Sequence, residues 1–292
     1  MTRENVVVFG GSGFVGSHVC DALSEAGYNV TIYDLTPSPY LRPDQKMVKA
    51  DILDTQAVTS AIAGADYVFH FAGIADLDHA GTAPQDTVNL NILGTVNILN
   101  ACVHARVKRF IFASSIYVYS QRGGFYRCSK QAAEAYIEEY KNKFDLDFSI
   151  LRYGTLFGPR ADNRNSIYRY LSSALKTGHI ATKGSGDERR EYIYVVDAAK
   201  LTSKILEEGY ANQRITITGH QSIYFRDLLN MISEMLGGKV EVEYSGETPE
   251  SHYYQTPYSY LPKPGLKITS NPFTDLGQGL LDCLAEIDQS NQ

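Results

Sequence analysis

The chain has no tryptophan and only four cysteines in its 292 residues. Cys20, Cys102, Cys128 and Cys283 are widely scattered and form no CxxC pair. They read as reduced thiols rather than a disulfide framework, as expected of a cytoplasmic protein. The seven histidines do not fall at ligand spacing from them, so no metal site is expected. No apolar run approaches the roughly 18 residues of a membrane span. The N-terminus enters a strand pattern almost at once, without the basic and apolar segments of a secretory signal. Basic runs are missing too. Charged residues make up 21% and the formal net charge is −6, which argues against nucleic acid or an anionic membrane as partner. A small anionic ligand stays open, because a few local arginines overcome so modest a charge.

Hydrophobic residues are plentiful at 43%, enough for a substantial core. In the first half short apolar runs alternate with helical patterns. Strands are predicted at Val6–Phe9, Asn29–Tyr33, Met47–Ala50, Tyr67–Phe71, Phe110–Ser114 and Phe148–Tyr153. Helices are predicted at Val15–Ala26, Thr55–Ala63, Gln85–Ala105 and Tyr126–Phe144. This alternation indicates an α/β fold, a Rossmann-type doubly wound parallel sheet with helices on both faces. After about residue 155 loops lengthen and tyrosines gather. Helices are predicted at Ser166–Lys176, Val196–Glu208 and Phe225–Leu236 within a smaller, irregular region over the sheet's carboxyl edge. The expected division is a dinucleotide-binding domain over residues 1–158, with a return of the chain at about 192–218. Residues 159–292 mainly bind substrate. The strand-like Arg214–Thr218 is the segment expected to rejoin the sheet. The tail from about Asp288 is expected to be loose.

Val6–Phe9 runs into Gly10-Gly11-Ser12-Gly13-Phe14-Val15-Gly16, and a helix follows. Glycine keeps such a turn tight and lets backbone approach a pyrophosphate. The helix N-terminus then presents free N–H groups and a positive dipole end. Gly10, Gly13, Phe14, Val15 and Gly16 are therefore candidate dinucleotide contacts. Asp34 ends the second strand about 20 residues on, where a carboxylate accepts from the adenosine ribose and repels a 2′-phosphate. The cofactor read from this is NAD rather than NADP. Asp51-Ile52, after the third strand, are candidates to border the adenine, although an aspartate there also serves as a helix cap.

Tyr126 and Lys130 stand at i and i+4, on one helix face one turn apart. A tyrosine near its usual pKa of about 10 is a poor base at neutral pH, and a nearby ammonium lowers that value. Such a pair takes a proton from a sugar hydroxyl while hydride leaves for the nicotinamide. Ser115, at the carboxyl edge of the fifth strand, is placed to hydrogen-bond the same oxygen.

The glycine turn, Asp34, Ser114-Ser115-Ile116-Tyr117-Val118-Tyr119 and Tyr126-Arg127-Cys128-Ser129-Lys130, in this order, resemble the extended short-chain dehydrogenase/reductases. More closely the chain resembles the sugar-nucleotide epimerases and dehydratases. Phe71-Ala72-Gly73, Asn91-Ile92-Leu93-Gly94-Thr95, Leu151–Arg160 and the Gly184-Ser185-Gly186…Arg190-Glu191-Tyr192-Ile193…Asp197 segment extend the likeness along nearly the whole chain. Thr155 stands where the family usually has asparagine. The resemblance implies NAD as cofactor, with Phe71, Ala72 and Gly73 beside it. It implies a nucleotide-sugar substrate, Tyr126 as acid/base, Lys130 as its partner and ribose ligand, and Ser115 on the substrate hydroxyl. It also implies Arg190 on the diphosphate and a homodimer formed through the two long helices. Arg189 is the competing assignment for Arg190. Asn165 is either a second substrate contact or a helix N-cap. Tyr117 is a candidate extra acid/base or a packed aromatic, and Cys128 is expected to be packed. The loop from Ser115 to Tyr126 is short for the family, which shortens one wall of the sugar pocket. Ile116-Tyr117 stands where 4,6-dehydratases carry an Asp-Glu pair. The implied reaction is epimerisation at C4 through a 4-keto sugar, with net 4-dehydrogenation or 4-ketosugar reduction as the alternative. Tyr253, Tyr254, Tyr258 and Tyr260 are either pocket walls or core and interface residues.

Overall fold

The computed structural model describes residues 3–246 and 252–257. Tyr258, Tyr260, Cys283 and the tail from Asp288 lie outside the described residues. The chain runs β1 (Asn5–Phe9), α1 (Phe14–Glu25), β2 (Asn29–Asp34), β3 (Lys46–Lys49), α2 (Thr55–Ile62) and β4 (Tyr67–His70). Next come α3 (Leu77–Thr82), α4 (Pro84–Val88), a π turn (Asn89–Leu93), α5 (Gly94–Ala105) and β5 (Arg109–Ser115). A 3₁₀ turn (Ile116–Tyr119), α6 (Gly124–Phe144), β6 (Phe148–Tyr153) and β7 (Thr155–Phe157) follow. The rest comprises α7 (Ser166–Thr177), β8 (His179–Thr182), β9 (Arg189–Tyr194), α8 (Val195–Lys204), β10 (Gln213–Ile217), β11 (Ser222–Tyr224), α9 (Phe225–Met235) and β12 (Glu241–Tyr244).

Seven strands form the main sheet in the order β10-β6-β5-β4-β1-β2-β3, and every pairing is parallel. The apolar run of β1 is continuous because both its faces are covered. Val7 and Phe9 enter one core with α2, α5 and α6, while Val6 and Val8 enter the other with α1 and α8. The strand order reverses between β1 and β4, so the segments leaving them diverge and open a crevice at the carboxyl edge. Residues 213–217 rejoin the sheet by pairing with β6.

The second half is more regular than its sequence suggests. It contains a three-stranded sheet, β11-β9-β7, and a β12-β8 pair. Strands of three or four residues carry too little alternation to stand out from loops. The helix expected at Val196–Glu208 ends at Lys204, and a separate 3₁₀ turn covers Glu208–Tyr210. The helix expected at Gln85–Ala105 is interrupted by the π turn. Gly219 lies where the chain leaves β10 beneath β9, and a Cβ there would collide with the Tyr192 carbonyl oxygen. Gly219→Ala is therefore expected to lose about 1–3 kcal/mol of stability, as in other overpacked sites. Urea denaturation of the two proteins checks this.

Candidate active site

Gly10 turns the chain at the end of β1 with φ +77°, and a Cβ on it would lie 2.5 Å from the Ala72 nitrogen. The glycine turn thus lies directly against the Phe71-Ala72-Gly73 segment after β4. A Cβ on Gly16 would collide with the Gly10 carbonyl oxygen, so α1 sits hard against the turn. Gly13 is the N-cap of α1, and no side chain caps that helix. The first-turn N–H groups, those of Phe14 and Val15 among them, are left for an anion. Ser12 N donates to Asp34 Oδ2 at 3.0 Å, and Thr36 N donates to Oδ1 at 3.1 Å. The carboxylate is thereby fixed beside the turn with lone pairs to spare. Helix end, close backbone and anchored carboxylate fit the pyrophosphate and ribose of a dinucleotide. Asp51 Oδ1 accepts from Leu53 N at 2.9 Å, and Ile52 is buried in the core.

The proton-handling residues meet at the same edge. Ser115 ends β5, and Tyr126 enters from the first turn of α6. The Ser115 hydroxyl lies beside that of Tyr126, close enough to favour its phenolate. Gly123, with φ +97°, makes the short approach to α6 possible, and a Cβ on it would press on the Tyr117 ring. Lys130 lies one turn along α6. Its Nζ donates to the Ala113 carbonyl at 2.8 Å and stands 4.6 Å from the Phe112 ring centroid and 5.9 Å from that of Tyr126. Burial pushes the Lys130 ammonium down to about 8, opposed by the Glu134 carboxylate.

Burial also pushes the Tyr126 phenol up to about 12, with the Ser115 hydroxyl pulling the other way. This corrects the expectation that Lys130 lowers that value in the resting protein. The ammonium is spent on Ala113, and desolvation of the phenol dominates.

Behind the pair, Ser129 Oγ donates to the Tyr126 carbonyl at 2.8 Å. Asn91 Nδ2 donates to Ser129 Oγ at 2.9 Å, and Ile74 N donates to Asn91 Oδ1 at 2.7 Å. The π turn that carries Asn91 has no simple sequence signal.

The opposite wall comes from β9 and residues 252–257. Successive side chains on a strand face opposite ways. Arg190 lies 5.6 Å from the Tyr253 ring centroid, whereas Arg189 lies over Tyr224 at 4.8 Å. Arg190 is thus the one at the site. Its surroundings are the hydroxyls of Tyr117, Tyr253, Tyr192 and Tyr170, and its buried Nε has no hydrogen-bond partner. The Tyr117 hydroxyl meets His252 Nδ1 at 2.8 Å, and its ring lies 4.9 Å from that of Tyr253 and 6.1 Å from that of Tyr126. Tyr117 is both packed and at the site. Thr155 Oγ1 lies 3.2 Å from the Tyr253 hydroxyl, so the residue replacing asparagine ties this wall to β7. His252 went unnoticed in the sequence because nothing local marks it. Tyr254 is 54% exposed and points elsewhere.

Asn165 caps α7, accepting from Ile167 N at 3.0 Å and Tyr168 N at 3.2 Å while donating to the Leu156 carbonyl at 2.8 Å. Of the two readings for Asn165, the geometry favours the cap. Cys128 is exposed rather than packed, because α6 turns it away from the Tyr126–Lys130 face. Among the described residues no cluster of His, Cys, Asp or Glu could hold a metal ion, and no helix is long and apolar enough to cross a membrane.

Fold and site together define a Rossmann-type α/β protein with a buried tyrosine–lysine pair at the carboxyl edge of its sheet. The sequence model of the NAD dependent epimerase/dehydratase family matches residues 6–218, and the chain belongs to that family. It is an NAD-dependent enzyme. It is similar to a putative UDP-glucose 4-epimerase of Methanocaldococcus jannaschii, 28% identical over 82% of this chain and 85% of that one. A UDP-N-acetylglucosamine 4-epimerase from Methanobrevibacter ruminantium M1, solved with UDP-N-acetylmuramic acid, superposes with a TM-score of 0.79. It is 28% identical, with 89% of this chain and 90% of the other covered. A UDP-glucuronic acid 4-epimerase from Bacillus cereus, solved with UDP-glucuronic acid and NAD, also gives 0.79 at 26% identity, over 86% and 89% of the two chains.

The shift at Lys130 carries a stability prediction. Its folded value of about 8 lies below the unfolded 10.5. Between these limits the unfolded chain binds more protons, so this group adds stability as pH rises through the window. Lys130→Met removes the cost of burying the ammonium. It is expected to be more stable than the parent by about 3 kcal/mol at pH 7. The gain should shrink from about pH 8 towards 10.5, as read by urea denaturation at a series of pH values.

Proposed function

We propose that this protein epimerises a UDP-linked sugar at C4 through a 4-keto intermediate, acting as a cytoplasmic homodimer. The observation that carries the reading is the buried Tyr126 beside the Ser115 hydroxyl, with Lys130 Nζ 5.9 Å from its ring centroid one helical turn away. Gly10, Gly13, Gly16 and the α1 N-terminus hold the pyrophosphate of NAD, Asp34 the adenosine ribose, and Phe71-Ala72-Gly73 line the cofactor beside the glycine turn. NAD, when bound, supplies a reversible two-electron acceptor. Residues 1–158, with the return at about 192–218, serve the dinucleotide, and residues 159–292 mainly serve the sugar nucleotide.

In the oxidising half, Ser115 hydrogen-bonds the C4 oxygen while Tyr126, in its phenolate form, takes the hydroxyl proton and becomes the neutral phenol. The Lys130 ammonium stabilises the phenolate before that transfer. In the reducing half, Tyr126 returns the proton to the oxygen of the turned-over ketone. A phenol that burial keeps protonated suits that donation. Arg190 holds the diphosphate throughout, so the sugar swings about a fixed anchor. Its guanidinium has a buried Nε without a partner among the described residues, which suits it to an anion supplied by a ligand. Ile116 and Tyr117 offer no carboxylate to eliminate water, which favours epimerisation over 4,6-dehydration. Support for the UDP-sugar class comes from the names of the related epimerases. The exposed Leu93, Phe125 and Tyr136 on the α5–α6 side suit a dimer face.

Purified protein is expected to interconvert C4 epimers of at least one UDP-sugar with no net change in NAD. Tyr126→Phe should lower the rate by about 10²–10⁴-fold, the usual contribution of a positioned acid/base. Turnover with stoichiometric cofactor reduction would instead mark a net 4-dehydrogenase. Arg190→Met should weaken UDP-sugar binding by roughly 1.5–3 kcal/mol, read by calorimetry.

A further inference from the structure

A second layer of charge lies directly behind the reactive pair. Tyr126, Lys130 and Glu134 follow at i, i+4 and i+8, on one stripe of α6. Glu134 is 6% exposed. Its Oε1 accepts from Ser114 Oγ at 2.5 Å and from Arg152 Nε at 3.1 Å, and its Oε2 accepts from an Arg152 terminal nitrogen at 2.6 Å. Arg152 comes from β6, and its other terminal nitrogen donates to the Tyr119 hydroxyl at 2.6 Å. Ser114 is the neighbour of Ser115 on β5. One carboxylate therefore joins α6, β5 and β6 where those elements present the reacting hydroxyls.

A buried ion pair of this kind is weak evidence for stability, since the desolvation of both charges offsets their attraction. Its place in the stripe suggests another role. The groups facing Lys130 are Tyr126 and Glu134 from α6, the Ala113 carbonyl and Phe112 ring from β5, and His70 from β4. His70 is fully buried and pushed down to about 3, so it stays neutral and adds no charge. In the resting protein Tyr126 is a phenol. Glu134 is then the anion that acts on the ammonium.

We propose that Glu134, clamped by Arg152 and Ser114, is a positioning residue that keeps Lys130 in its charged form behind Tyr126. The clamp matters because a free carboxylate would swing to bond the ammonium directly and draw it off the Ala113 carbonyl. With its oxygens occupied by Arg152 and Ser114, Glu134 acts on Lys130 through space and leaves it aimed at the site. The inference rests on the reading that Lys130 acts as a cation in catalysis.

The test is a carbon-13 NMR titration of the lysine ε-carbons of the full chain, with and without NAD. The Lys130 signal is assigned by its loss in Lys130→Met. In Glu134→Gln the Lys130 midpoint should fall by about one pH unit or more, the usual effect of removing a close opposite charge. The alkaline limb of activity should move down with it. Glu134→Asp keeps the charge and should keep the midpoint close to that of the parent. Should Glu134→Gln leave Arg152 unpaired and fail to fold, the double variant Glu134→Gln/Arg152→Gln buries no lone charge. It is also expected to lower the midpoint. An unchanged midpoint in the glutamine variants, or an equal fall in Glu134→Asp, overturns the proposal. A parent protein that epimerises nothing would sink the proposed reaction while leaving this titration readable.

Discussion

Lys130 Nζ donates to the Ala113 carbonyl in a space walled by Phe112 and Tyr126. Keeping an ammonium there opposes folding, since burial favours its neutral form. The elements around it are arranged to hold that cation. β5 turns a carbonyl towards it, α6 carries it one turn from Tyr126, and β6 supplies Arg152 to fix the carboxylate that stands behind it. A site that stores an unfavourable charge needs a scaffold stable enough to carry it. The seven-stranded sheet, with a sealed core on each face, supplies that scaffold.

The parallel topology also decides where ligands meet. Because the order reverses between β1 and β4, the glycine turn and the Phe71–Gly73 segment line one crevice. β5 ends beside it with Ser115. Return of residues 213–217 to the sheet brings β9 back over the same edge, and Arg190 and the 252–257 segment come with it. The glycine turn, the Ser115–Tyr126–Lys130 group and the Arg190 wall are thus separated in sequence while sharing one edge in space.

Much of the sheet was legible because buried parallel strands are short unbroken apolar runs between helices of regular period. The glycine turn, Asp34, Ser115, Tyr126 and Lys130 were legible because each sits at a strand end or one helical turn from another. The rest depends on contacts distant in sequence. Choosing Arg190 over Arg189 needs the facing of β9. The Tyr117–His252 bond spans 135 positions and has no local signature. The Asn91 π turn looks like ordinary helix in the sequence. Desolvation at Tyr126 outweighs the ammonium beside it, and burial of that degree is not written in an i, i+4 spacing. Cys128 sits inside a functional motif yet faces solvent, because helical phase overrides proximity in sequence.

The account holds that one substrate hydroxyl is oxidised and restored without the sugar leaving Tyr126. A UDP-sugar carrying deuterium at C4 tests this directly. The predicted result is a C4 epimer that keeps its deuterium at C4, with no reduced cofactor accumulating. Deuterium lost from the sugar to the cofactor, with a 4-keto sugar building up in step, would contradict it.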